Sequence, residues 1–288
     1  MRQARIHSVD AFDGTPRIVH ISDVHGYLDE ARSALLAVGE SDRFDPVVTA
    51  DDEGRLHWAG NDHVLVVNGD LVDRGPENEA CLDLVWRLVE EAPPGRVRYH
   101  LGNHEQAILL PEQVRWPSAF STDLDRDARR AFLDRIGDGD VTAAFEGYAY
   151  TYSHAGSNEP FDAATLNDEL RAAASELRSA LGTDDEPAVQ DRVEAEYDRL
   201  FGLGESGARS PGAGCCWLDF RHLDSSAPPQ VVGHSMQTEP VRDGNVVCGN
   251  IIRRNESRSR GEGVLVETPE TLYGVVRGLN REVETVEI

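Results

Sequence analysis

Apolar residues along the chain follow two alternating periods. Short runs rich in Val, Ile and Tyr occur at Arg17 to Ser22, His63 to Asn68, Arg96 to Leu101, Tyr148 to Ser153 and Gln230 to Gly233. Their length and composition predict strands, and each runs straight into a polar turn that in most cases carries histidine. Between them, apolar positions recur at helical spacing over Tyr27 to Val38 and Glu77 to Glu91, the latter opening beside Pro76 and stopping before Pro93 and Pro94. Strands alternating with helices predict an α/β layered domain. From Pro111 to about Leu203 the pattern changes. Leu124 to Ile136 and Thr165 to Leu181 read as amphipathic, acid-studded helices, and Gly182 to Pro187 and Gly204 to Gly214 as loops. The stretch of about 111–214 is therefore expected to be a mostly helical insertion that also bears the strand ending at His154. A last group, Asn245 to Ile251, Gly263 to Glu267 and Thr271 to Val276, reads as a meander closing a second sheet. With no internal repeat, residues 1–288 are expected to form a single domain.

The turns that follow the strands hold the chemistry. They present Asp23 and His25 in SDVHG, Asp70 and Asp73 in GDLVDRG, Asn103 and His104 in GNHE, His154 in SHAG and His234 in GHS. In a layered α/β fold the loops at the strand carboxyl ends share one edge, so these distant groups should converge. Carboxylate, imidazole and amide oxygen suit two hard or borderline divalent ions, Mn, Fe or Zn, and a carboxylate such as Asp70 can bridge ions ~3.5–4 Å apart. Singly, each motif is weak. Asp-x-His recurs by chance, an isolated His154 or His234 is more often a hydrogen-bonded histidine, and GDLVDRG would serve equally as a turn with capping aspartates. Their joint occurrence, in order and each behind a strand, carries the reading.

With these motifs the sequence resembles the calcineurin-like metallophosphoesterases, and among them the phosphoprotein phosphatase family of serine/threonine phosphatases of bacterial and phage type. The similarity runs from Asp23 to Cys248 and is strongest in GDLVDRGPENEACLDLV and GNHEQ. It implies a two-layered β-sheet sandwich flanked by helices, α/β/β/α, with two divalent metal ions, manganese foremost and iron or zinc as alternatives. The resemblance gives Asp23, His25 and Asp70 to one ion, and Asp70, Asn103, His154 and His234 to the other. It makes His104 the general acid, oriented by Asp73, with Arg74 clamping the phosphate. A second phosphate-binding arginine is expected before the last histidine; Arg221 in WLDFRHL is the candidate and Arg209 its rival. The implied activity is that of a metal-dependent phosphoric monoester hydrolase, a protein serine/threonine phosphatase working by direct attack of metal-bound water. Its substrate would be a phosphorylated protein or a small phosphoester. The alternative is a dinucleoside polyphosphate (diadenosine tetraphosphate-type) or nucleotide hydrolase, since Ala155 and Gly156 after His154 resemble that group whereas Asp73 and Glu105 do not. Leu101 stands before GNHE where protein phosphatases commonly carry arginine. A non-catalytic phosphoprotein-binding module would need a broken ligand set, and every ligand is present.

Charge narrows the partners. The chain has 52 acidic and 28 basic residues, a net charge of −24, and every basic residue is arginine. So negative a surface disfavours nucleic acid and anionic membranes as partners. It also repels itself at low salt, a cost that vanishes as the Debye length shrinks to about 3 Å near 1 M, so a halophilic origin is expected. No apolar run approaches the roughly 18 residues of a membrane span. The N-terminal MRQARIHSVDAF lacks the apolar region of a secretory signal, and a cytoplasmic location is expected. Cys81, Cys215, Cys216 and Cys248 form neither a disulfide framework nor a zinc motif.

Overall fold

Ile18, Val19 and Ile21, like Val64 through Val67, are all buried, so these strands have no solvent face and sit inside the layers. The computed structural model describes residues 6–252 and 261–288; Met1 to Arg5 of the N-terminal stretch read above lie outside the described residues. In chain order the elements are β1 (Arg17–Ile21), α1 (Leu28–Glu40), β2 (Val48–Ala50), β3 (Leu56–Trp58), β4 (His63–Val67), α2 (Asn78–Glu91) and β5 (Val97–His100). There follow α3 (Asn103–Leu109), α4 (Pro111–Val114), α5 (Phe120–Asp123), α6 (Arg126–Asp138), β6 (Val141–Thr142), β7 (Ala144–Glu146) and β8 (Thr151–Ser153). After α7 (Ala163–Ala180), α8 (Glu186–Glu196) and α9 (Asp198–Phe201) come β9 (Gln230–Val232), β10 (Val241–Asp243), β11 (Val246–Cys248), β12 (Gly263–Glu267), β13 (Leu272–Arg277) and β14 (Val283–Glu287).

A seven-stranded sheet, ordered β14-β13-β12-β1-β4-β5-β6, faces a five-stranded sheet, ordered β10-β11-β9-β8-β7. β1, β4, β5 and β6 run parallel, with Ile18 beside Val64 and Leu65 beside Val97. Because side chains alternate along a strand, Val19, Ile21, Leu65 and Val67 pack against Ala34, Leu35, Val38, Leu84 and Leu88 of the helices. Ile18, Val64, Val66 and Leu265 point the other way, into the second sheet's Phe145, Tyr152, Val231 and Val247. Leu218, Leu223 and Ala227 cover the far face of that sheet over Val232, Val246 and Cys248. Layered sheets with flanking helices are thus the architecture the sequence implied.

Two local expectations are corrected. Gly263–Glu267 and Leu272–Arg277 do not close the second sheet; they extend the first, β12 pairing antiparallel with β1. Val264, Leu265 and Val266 are all buried, and a strand buried on both faces carries no pattern that says which sheet it joins. The loop expected over Gly182 to Pro187 ends early, at the start of α8, whose buried positions are only Gln190 and Val193 and so leave almost no helical periodicity. The stretch from 111 to 214 is mostly helical and supplies β6 to one sheet and β7 and β8 to the other. Its helices α6 and α7 open on Asp125 and Asp162, whose carboxylates accept from the N–H of Ala128 at 2.8 Å and of Thr165 at 2.7 Å.

Candidate metal centre

The turns behind β1, β4, β5, β8 and β9 meet at one edge of the sandwich, and their backbones are strained. Asp23, His25, Asp70, Asp73, Arg74 and His234 all hold left-handed conformations, φ between 51° and 72°, where only glycine rests easily. Strain of that kind persists only where surrounding bonds over-determine it. Glu105, fully buried, accepts from the N–H of Asp70 at 2.8 Å, of Leu71 at 2.8 Å and of Gly102 at 2.9 Å, and from the Tyr99 hydroxyl at 2.8 Å. That carboxylate locks the turn after β4 to the turn after β5. Close approach demands glycine at Gly102, where a Cβ would lie 2.4 Å from Asp70 Oδ1, and at Gly69, where it would lie 2.5 Å from His154 Nδ1.

Asp70 sits at the middle of the converging groups. Its Oδ2 lies 3.4 Å from His25 Nε2 and its Oδ1 3.4 Å from His154 Nε2. His234 Nδ1 is 3.2 Å from His154 Nε2, and the two imidazoles face Asn103 Oδ1 at 2.9 and 3.3 Å. Asp23 Oδ1 approaches His25 Nε2 at 3.9 Å. The outward ring nitrogens are tied down: His25 Nδ1 bonds to the carbonyl of Val72 at 2.9 Å and His154 Nδ1 to that of Asn68 at 2.8 Å. Such bonds select the tautomer that turns Nε2 inward, as in metal-ligating histidines. Potential ligand atoms of His25, Asp70 and His104 lie within 4.8 Å of one another, as do those of Asp70, His154 and His234, so Asp70 is common to both groups.

Burial pushes the Asp23 carboxyl up to about 6, with His154 opposing and Asp70 reinforcing the shift. Burial also drives His25 down to about 3. For His154 burial works downward, but Asp70 and then Asp23 raise it to about 10. Asp23 Oδ1 and His234 Nε2 are buried without a hydrogen-bond partner. Buried carboxylates and imidazoles, crowded together with orphaned atoms among them, are what two divalent ions would satisfy; the donor set fits them.

Around this cradle stand the other expected residues. His104 Nδ1 bonds to Asp73 Oδ2 at 2.6 Å, while its Nε2 lies 3.1 Å from the Arg74 guanidinium and 3.9 Å from Asp70 Oδ2. Asp73, Arg74 and His104 are therefore brought together. Arg221 bonds to Asp219 Oδ1 at 3.1 Å, with its side chain 76% exposed. Arg209 bonds to the same Asp219, at 2.9 and 2.7 Å, and to Ser235 Oγ beside His234 at 3.2 Å, and is 36% exposed. Sequence reasoning did not find Asn68, Ser121, Trp116 or Asp219. Ser121 donates to Asp73, and the Trp116 ring centroid lies 4.3 Å from that of His104. No local motif marks them; Glu105 was visible as the last letter of GNHE.

A family model for calcineurin-like phosphoesterases matches residues 16–193, more than half of the chain, and the chain belongs to that family. The metallophosphatases of this family use a dinuclear metal centre, and the residues just described supply candidate ligands. Shewanella-like protein phosphatase 2 of Arabidopsis thaliana is 32% identical over 96 residues, 33% of this chain and 22% of that protein. Shewanella-like protein phosphatase 1 of Plasmodium berghei (strain Anka) is 31% identical over 98 residues, 32% of this chain and 23% of that one. The match thus spans less than a quarter of either relative's length. Among solved structures, a cold-active protein tyrosine phosphatase superposes with a TM-score of 0.60 at 18% identity, covering 98% of this chain and 82% of that one. The cold-active protein-tyrosine phosphatase of a psychrophilic Shewanella species gives 0.58 at 18%, covering 99% and 84%. At such identities the likeness is one of fold.

Proposed function

We propose that the protein is a dinuclear metal phosphatase that hydrolyses phosphate monoesters on phosphorylated proteins, phosphoserine and phosphothreonine foremost. The observation that carries this reading is a carboxylate-held histidine, His104, standing between the shared carboxylate Asp70 and the Arg74 guanidinium. Asp23, His25 and Asp70 would hold one ion, and Asp70, Asn103, His154 and His234 the other. Bound there, the ions supply an activated water nucleophile near neutral pH and neutralise phosphate oxygens. Manganese suits the oxygen- and imidazole-rich donors, and the acidic, lysine-free surface fits a salt-rich cytoplasm.

The chain's own residues do the rest. Asp73 holds His104 Nδ1, so Nε2 faces the site and hands its proton to the departing alkoxide. Arg74, 3.1 Å from Nε2, offers planar paired donors to phosphate oxygens. Arg209, anchored beside His234 through Ser235, is better placed than Arg221 to act as the second clamp. No nucleophilic side chain is needed, and the described cysteines are buried thiols. Trp116 favours a second reading, phosphotyrosine, because its ring lies against the proton donor where a phenol leaving group would stack; the two solved neighbours are named tyrosine phosphatases. The test is a panel of phosphoserine, phosphothreonine and phosphotyrosine peptides beside a dinucleoside tetraphosphate, with manganese and after chelation. Metal-dependent turnover is expected to favour the monoesters; preference for the tetraphosphate overturns the proposal, and preference for phosphotyrosine selects the second reading.

A further inference from the structure

The α4–α5 loop and the short α5 that follows it lie outside every motif of the site, yet together they touch both ends of the Asp73–His104 pair. On the carboxylate side, Ser121 donates its backbone N–H to Asp73 Oδ1 at 2.9 Å and its hydroxyl to Oδ2 at 2.6 Å. On the imidazole side, the Trp116 ring centroid lies 4.3 Å from that of His104, tilted by 41°. The two contacts are mechanically linked: Thr122 Oγ1 donates to the carbonyl of Trp116 at 2.7 Å and to that of Ala119 at 3.1 Å, closing the loop on itself. Trp116 is backed in turn by Trp217, 5.9 Å away, whose indole N–H is fixed by Gln106 Oε1 at 2.8 Å.

We propose that residues 116–122 clamp the proton donor, with Ser121 as a positioning residue for Asp73 and, through it, for His104. The inference rests on the reading of His104 as general acid. Ser121 is fully buried, and its hydroxyl reaches 48 positions back along the chain rather than to its own helix. The reason such a contact matters is rotational. The terminal torsion of an aspartate is broad and roughly two-fold, so a carboxylate held by one partner can swing and carry that partner with it. Donors on both oxygens remove that freedom and hold Oδ2 at 2.6 Å from Nδ1. Asp73 itself holds a left-handed backbone conformation, φ 72°, which surrounding bonds must maintain.

Three variants of the full chain test the clamp: Ser121→Ala, His104→Asn and the double variant, each assayed on an alkyl phosphate and on nitrophenyl phosphate. Loss of a hydrogen bond to a charged group predicts a fall in kcat of about tenfold or more for Ser121→Ala on the alkyl ester, with KM little changed. The fall should be smaller on nitrophenyl phosphate, whose leaving group needs no proton, and adding Ser121→Ala to His104→Asn should cost nothing further. Independently of turnover, histidine-selective ¹⁵N NMR of the chelated protein should show the His104 Nδ1–H resonance displaced or broadened in Ser121→Ala. Equal losses on both esters, additivity with His104→Asn and an unmoved resonance would overturn the clamp. If instead His104→Asn itself shows no leaving-group dependence, the general-acid reading falls, and the resonance alone decides whether Ser121 positions the ring.

Discussion

Asp70 and Arg209 are held by different means. Asp70 stands one residue beyond the Gly69 turn of a central strand, its N–H bound by Glu105 and its carbonyl accepting from the N–H of His25 at 2.9 Å. Arg209 stands in a Gly- and Ser-rich loop and is held through side chains, Asp219 and Ser235. The first arrangement is fixed by a buried carboxylate and by backbone bonds between turns, Asp23 N–H to Gly69 C=O at 3.0 Å among them; the second rests on side chains alone. The cradle that would bind metal is thus built into the layers, whereas the rim that would meet substrate is laid over them.

The cradle is the place to break hardest. Asp70→Asn removes charge from the residue common to both ligand groups, so both metal content, read by elemental analysis, and turnover should be lost. Full occupancy with near wild-type turnover would refute the shared-ligand assignment. His104→Asn lies at the border of cradle and rim. It should keep both ions and lower kcat by about 10²–10⁴-fold, less on good leaving groups. On the rim, Arg209→Ala is expected to lower kcat/KM by about 10- to 150-fold, the worth of a charge-assisted hydrogen bond, with metal content unchanged. Arg221→Ala, already 76% exposed, should fall by less; the reverse order moves the clamp to Arg221. The smallest effect concerns neither region but the whole surface. With a net charge of −24, melting temperature should rise by several degrees between 0.1 and 2 M KCl, and a flat or falling profile removes the inference of salt adaptation.

The same contrast explains what could be read before the structure was known. Strand ends at Ser22, Asn68, Leu101, Ser153 and Gly233 lie within a residue or so of the observed ones, because each apolar run stops where a polar turn must begin. Since every cradle residue sits in such a turn or, like Asn103, opens the helix directly behind it, their convergence followed from layer geometry. Ser121 and Trp116 gave no such signal. They reach the site from a loop and a single-turn helix whose path depends on tertiary packing, and a serine or tryptophan there is unremarkable in sequence. The sheet to which Gly263–Glu267 belongs was hidden for a related reason, since burial on both faces erases the alternation that would have assigned it.

Glu105 has one consequence for how the centre is filled. By tying the amides of Asp70, Leu71 and Gly102 to a single buried carboxylate, it shapes the binding turns through protein bonds alone, before any ion is needed. Loading is then expected to proceed without a coupled folding step, unlike small metal-dependent domains that are unstructured when stripped. Those amides should already resist hydrogen exchange in chelated protein, and added metal should raise the melting temperature by mass action and slow that exchange further rather than create the protection.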